Sequence, residues 1–216
     1  MLIGALVTIL RLPAFIVTLG LWGAIRGLAK QIAEKTTIHP DSTWLDQLLL
    51  MPSGDQRWMV LAPGLWLTLL LALLVATLLR YTRFGRHVFA IGSNEQTARL
   101  CGVHVGRTRI ALYAVAGLLT GFAGVLQFSY LSAGDPTTAQ GMELDIIAAA
   151  VIGGASLSGG AGSVTGTLIG ALLMTAIATG CTKMDWDDSV QQEVTGGIII
   201  FVAAIDQLRR RSEKAA

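Results

Sequence analysis

Residues 146–182, "IIAAAVIGGASLSGGAGSVTGTLIGALLMTAIATGCT", run for 37 residues without a charged side chain. As one α-helix they would be about 55 Å long, whereas the hydrocarbon core of a bilayer is about 30 Å thick. A single crossing cannot use them all. The middle of the run, GGASLSGGAGS at 153–163, is too rich in glycine to stay helical, and glycine at that density makes turns. The run therefore divides into a short helix from about Glu143 to Ala155 and a full crossing from about Ser163 to Thr182. Gly153, Gly154, Gly159 and Gly160 are expected to form the turn. Gly162, Gly166 and Gly170 stand in GxxxGxxxG register, which lets helix backbones approach closely in lipid. With Ser156 and Ser158 the turn glycines could suggest a phosphate cradle, but the spacing is not GxGxxG and no strand precedes it. A tight turn between membrane helices is the reading adopted.

Outward from this stretch the chain keeps the same character. Of 216 residues, 53% are hydrophobic and 14% charged, against about 25% charged in a soluble domain. Leu12–Ile25 is uncharged and continues to Ala29 with only Arg26 inside. Trp58–Leu79 is a clean apolar run of 22 residues, and Ile110–Gly134 one of 25. Another crossing is expected from about Ser189 to Leu208. Residues 1–10 are apolar but too few to span, so Met1 is expected to lie inside a helix whose first half is absent. Their first basic residue, Arg11, follows the apolar core, which is the wrong order for a signal peptide. The fold class is all-α, a polytopic membrane helix bundle of about six crossings plus a partial N-terminal helix. Residues 1–208 would form one transmembrane domain and 209–216 a basic tail. A second GxxxG pair, Gly117 and Gly121, lies in the 110–134 run.

Charge gives the orientation. Residues 80–109 hold six Arg and one acid, Glu95, and the tail holds Arg209, Arg210, Arg211 and Lys214. In the loops near 33–57, 133–145 and 183–189 acids outnumber the bases Lys35, Arg57 and Lys183. The positive-inside rule places 80–109 and the C-terminus in the cytoplasm. The parity works only if the 143–155 helix crosses or deeply enters the membrane. Arg26 and Lys30, near an outer helix end, run against the rule, although such side chains can snorkel.

The cytoplasmic segment contains "SNEQTARL", 93–100. Ser93 with Gln96 fits a capping box. Glu95 in the first turn and Arg99 near the last suit the helix dipole, and they form an i,i+4 pair. Gly102 stands where a left-handed residue would stop the helix. A two-turn helix from about Asn94 to Cys101 is expected. It is too short to be stable alone in water and needs a surface to pack on. The pattern fits an ordinary cytoplasmic loop or a docking helix.

Chemistry of other kinds has no support in the sequence. There is no GxxxxGK[ST], and Gly-Lys never occurs, so a P-loop is lacking. Cys101 and Cys181 are far apart, and there is no CxxC, Cys/His cluster or HExxH, which speaks against a metal site. No enzyme, cofactor or nucleic-acid partner is expected. His39, His87 and His104 are isolated in expected loops. Gln127, in an apolar run, reads as an interhelical hydrogen-bonding group or a path-lining one. Glu193 and Asp206 are read as helix-end residues.

Five stretches, in order, carry a resemblance: RLPAFIVTLGLWGAIRGLA (11–29), TRFGRHVFAIGSNEQTARLCGVHV (82–105), YAVAGLLTGFAGVL (113–126), ELDIIAAAVIGGASLSGGAGSVTGTLIGALL (143–173) and GIIIFVAAIDQLRRR (197–211). The chain resembles the permease subunit of bacterial ABC importers of the ribose/xylose/galactose type. The resemblance implies a permease that translocates a monosaccharide across the inner membrane, paired with a second permease copy. It implies a cytoplasmic ATPase partner that binds and hydrolyses the ATP, and an extracytoplasmic sugar-binding protein. The segment matching 91–105 would be the coupling helix. Gly92, Asn94, Glu95, Ala98, Arg99 and Gly102 match its motif, with Asn94, Glu95 and Arg99 facing the ATPase and the glycines shaping turns. Glu143 and Asp145 are expected either to pair with the dipole of the short helix or to line an outer vestibule. Members of the resembled family usually carry further N-terminal crossings. An ATP-independent channel or carrier, or a non-transporting remnant, are the competing readings.

Overall fold

A computed structural model of the chain describes residues 2–9, 13–34, 36–39, 49 and 62–215, leaving aside the side chains of 15, 188, 203 and 205–215. The described elements are helices: α1 (Leu2–Ile9), α2 (Ala14–Ile32), α3 (Pro63–Tyr81), α4 (Arg83–Ser93), α5 (Glu95–Leu100), α6 (Val105–Leu131), α7 (Met142–Ile152), α8 (Val164–Lys183) and α9 (Asp188–Ala215). Among the described residues the only β pairing is an isolated antiparallel bridge, Ile38 to Gly134.

Among the described residues three helices are long and apolar enough to cross a membrane: α3, α6 and α8. Their large side chains point outward rather than into a core. Leu69, Leu70, Leu73 and Leu74 on α3 and Leu172 and Leu173 on α8 are exposed, and none of the most apolar 18 residues of α6 is buried. In water such surfaces would drive aggregation; in lipid they face a solvent as apolar as themselves. The chain is a helical membrane protein.

The first of two compact units comprises Met1–Leu74 and Gly102–Thr138. Here α1 packs on α6 through glycine. A Cβ on Gly4 would lie 3.0 Å from the Ile110 Cα, and one on Gly106 3.1 Å from the Thr8 methyl. Arg26, the unexpected cation of α2, donates to the Thr138 carbonyl at 2.9 Å and the Thr137 carbonyl at 3.5 Å, and its guanidinium lies 4.7 Å over the Trp22 ring. Its charge thus has carbonyl partners and an aromatic face, so snorkelling is not its whole explanation. In the same loop Asp135 accepts from the hydroxyl and the backbone N–H of Thr137, both at 2.7 Å. Those two bonds hold its carboxyl below the usual carboxylate range.

The second unit comprises Val75–Cys101 and Ala139–Ala216. Its centre is a cluster of Ala148, Ala149 and Met174, with Ile152, Ile177, Ile198 and Ile199 packed around it from α7, α8 and α9. The expected break at 153–163 is present. Gly153 and Gly154 end α7, Gly154 at φ +85°, and Ser163 caps α8 by accepting from the Gly166 N–H at 3.1 Å. At about 16 Å, α7 is roughly half the thickness of a bilayer core. The glycine register works as expected for two of its three members. A Cβ on Gly166 would strike the Gly153 carbonyl, and one on Gly170 the Ala149 carbonyl. Gly162 lies instead in the turn, at φ +156°. Gly117 and Gly121 on α6 meet nothing within 4 Å. The α9 helix runs on through Arg209–Arg211 to Ala215.

One element was not expected. The segment before the short polar helix is itself a helix, α4. Thr82 caps it, accepting from the Gly85 N–H at 3.2 Å while its own hydroxyl donates to the Leu78 carbonyl at 2.6 Å. Its exposed residues, Arg83, Arg86, Ala90 and Ser93, recur at helical spacing along one face. Gly85 permits the sharp corner after α3, since a Cβ there would collide with the Leu79 backbone.

Candidate coupling site

The polar helix expected around 94–101 is α5, six residues long. Its start differs from the capping-box reading. Ser93 is the last residue of α4, and the cap is Asn94, extended at φ −154°, ψ 103°. The Asn94 Oδ1 accepts from the Thr97 N–H at 3.0 Å. Two helices meet at this one non-helical residue, which closes α4 and opens α5. Ser93 is helical, and a cap needs an extended backbone, so the role passes to its neighbour.

The rest of α5 follows its charges. The Arg99 guanidinium donates to Glu95 Oε1 through Nη2 at 2.6 Å and Nε at 3.2 Å. The Arg99 side chain is 60% exposed and that of Glu95 37%. Such a surface pair adds only about 0.3–0.5 kcal/mol to the helix. It does hold one carboxylate and one guanidinium in fixed places on an open surface. Ala98 is the inward residue, 4% exposed, while Asn94, Gln96, Thr97, Arg99 and Leu100 are exposed. Gly102 is left-handed at φ +81° and ends the helix as expected.

Gly92 has a different role from the expected one. It does not shape a turn; it is helical, in the last turn of α4. Its missing side chain makes room for the 153–163 turn. A Cβ on Gly92 would lie 2.5 Å from the Gly160 nitrogen, and one on Gly160 would lie 2.8 Å from the Ser93 backbone. The glycine turn thus meets the last turn of α4, directly before the short helix. It is internally braced: the Ser156 N–H donates to the Ala161 carbonyl at 3.0 Å, and the Gly159 N–H to the Ser156 carbonyl at 3.0 Å. Gly159 and Gly160 are both left-handed, at φ +89° and +80°.

Other expected residues stay apart from this arrangement. Glu143 and Asp145 lie in the first turn of α7, half-buried. Glu143 Oε2 accepts from the Gly141 N–H at 3.1 Å, a helix-start bond that favours the dipole reading. His39 and His104 are exposed and His87 is half-buried. Among the described residues no group of His, Cys, Asp and Glu is placed to hold a metal ion. Sequence reasoning missed α4 and the Gly92–Gly160 contact. The helical spacing of Arg83, Arg86 and Ala90 was a readable signal for the first; the second left none.

Lipid-facing helices and a capped, exposed polar helix define a helical membrane protein with one short polar element between its apolar helices. The chain belongs to the family described as branched-chain amino acid transport system / permease component, which it matches over residues 1–203. It is 39% identical over 209 residues to the probable ABC transporter permease protein YphD of Escherichia coli K12, covering 96% of this chain and 61% of that one. It is 34% identical to the L-arabinose ABC transporter permease protein AraH of Azospirillum brasilense (98% and 61%) and 32% identical to the ribose import permease protein RbsC of Escherichia coli K12 (96% and 64%). The chain thus spans less than two thirds of the length of these relatives. No solved structure matches.

Proposed function

We propose that this chain is the membrane-spanning permease subunit of an ATP-driven ABC importer that moves a ribose-type monosaccharide across the bacterial inner membrane. The reading rests on α5, a capped helix with one buried residue, Ala98, and an ordered Glu95–Arg99 pair on its open face. A cytoplasmic ATPase would seat on that face, meeting Asn94, Glu95 and Arg99. ATP would be bound and hydrolysed there, and none in this chain. A second permease copy would complete the translocation path, and a sugar-binding protein would deliver the substrate from outside. Relatives named for arabinose and ribose support the substrate class.

In this reading about six crossings form one domain over residues 1–208, with the short α7 helix crossing or deeply entering the membrane. The tail at 209–216 is cytoplasmic, and Glu143 and Asp145 stand at the outer end of α7, paired with its dipole. The contact of Gly92 with Gly160 supports this parity, because it requires the 80–109 segment and the 153–163 turn to share one side.

The test is a double charge reversal, Glu95→Arg with Arg99→Glu. It keeps an intrahelical pair but inverts the charge pattern offered to a partner. The expected outcome is loss of ATPase co-purification and of sugar uptake, with the permease still folded. Uptake and association both left intact would overturn the coupling assignment.

A further inference from the structure

Resting on that reading, we infer that the glycine turn at 153–163 is a rigid joint that carries movement of the coupling helix directly to α7 and α8. Gly92 and Ser93 meet Gly159 and Gly160 backbone to backbone. A few residues along, Gly153 meets Gly166 and Thr167 of α8 in the same way, and Gly170 meets Ala149 of α7. From the end of α4, one residue before α5, to Gly170 of α8 these contacts run through main chain. Close-packed backbone transmits a displacement, whereas a layer of long side chains absorbs it by changing rotamers. The turn itself is fixed by the Ser156–Ala161 and Gly159–Ser156 hydrogen bonds. The Ser156 hydroxyl adds a bond from the Ser158 N–H at 3.2 Å.

Two variants of the assembled importer test the joint. Gly92→Ala improves the local helix, because alanine is the better helix former, yet it wedges a methyl against the Gly160 nitrogen. A purely local role for Gly92 would leave it silent or make it beneficial. With the joint, the ATPase stays bound and hydrolyses ATP while sugar moved per ATP falls roughly tenfold, within the usual range of coupling between sites. Unchanged sugar per ATP overturns the inference. Gly117→Ala, whose methyl meets open space, is the control.

The second variant, Ser156→Ala, adds no bulk and removes the hydroxyl that accepts from the Ser158 N–H. A joint loosened in this way lowers sugar moved per ATP about fivefold, at the low end of coupling between sites, with ATPase association intact. Unchanged sugar per ATP in this protein overturns the inference even if Gly92→Ala fails to assemble. Failure of the docking reading shows separately, as unchanged ATPase association in the Glu95→Arg/Arg99→Glu protein.

Discussion

Asn94 is a single extended residue between two helices, and its carboxamide oxygen is the hydrogen-bond acceptor that starts α5. Replacing a cap of this kind with alanine costs about 1 kcal/mol, and with glycine only a few tenths. Asn94→Ala is therefore expected to speed hydrogen exchange at the Thr97 amide about fivefold, with Asn94→Gly in between. Equal exchange in all three proteins would mean the cap contributes nothing. At this scale the sequence was informative where the signal is local. Glu95 and Arg99 pair because helix geometry brings i and i+4 together, and Gly102 terminates because it can turn left-handed. The cap was misplaced by one residue because Ser93 and Asn94 are both good caps. Choosing between them requires knowing that α4 already contains Ser93. Gly92 could be singled out by motif, but its partner lies far along the chain, and no local spacing encodes such a contact.

Between elements, the α7–α8 pair shows what can be read from composition. The division of the 37-residue uncharged run rested on a length argument, and the structure starts and ends α8 within a residue of expectation. Ser163 and the glycines are strong punctuation, so these boundaries are local facts. The faces that α8 shows to α7 are only half-readable. Three glycines in register promised close packing; two deliver it, and the third turned out to belong to the turn. The prediction here contrasts two glycines of one helix. Gly170→Leu has no space against the Ala149 carbonyl and should leave little folded protein, whereas Gly180→Ala meets open space and should be silent. Melting of the purified protein in detergent is the check, and equal midpoints would contradict the packing described. The α4 helix was not expected, although its exposed residues Arg83, Arg86, Ala90 and Ser93 recur at helical spacing.

For the molecule as a whole, hydropathy declared the class and charge proposed the orientation. Three helices, α3, α6 and α8, meet the length and hydropathy of a crossing outright. The remaining proposed crossings depend on parity, so orientation is the quantity to measure. The two cysteines make natural probes, since Cys101 is exposed beside α5 and Cys181 is buried. A membrane-impermeant maleimide should label Cys101 in inside-out vesicles and spare it in right-side-out ones. The opposite pattern would invert the orientation and remove α5 from the cytoplasm. One consequence of the glycine joint concerns ionic strength. Gly92, Ser93 and the whole 153–163 turn carry no ionisable side chain, while the Glu95–Arg99 pair beside them stands in open solvent. Salt screens exposed charges within about 10 Å at 0.1 M and leaves amide packing untouched. Under the proposed coupling, docking on this molecule is thus tunable by electrolyte, and whatever passes inward from the docked helix is not.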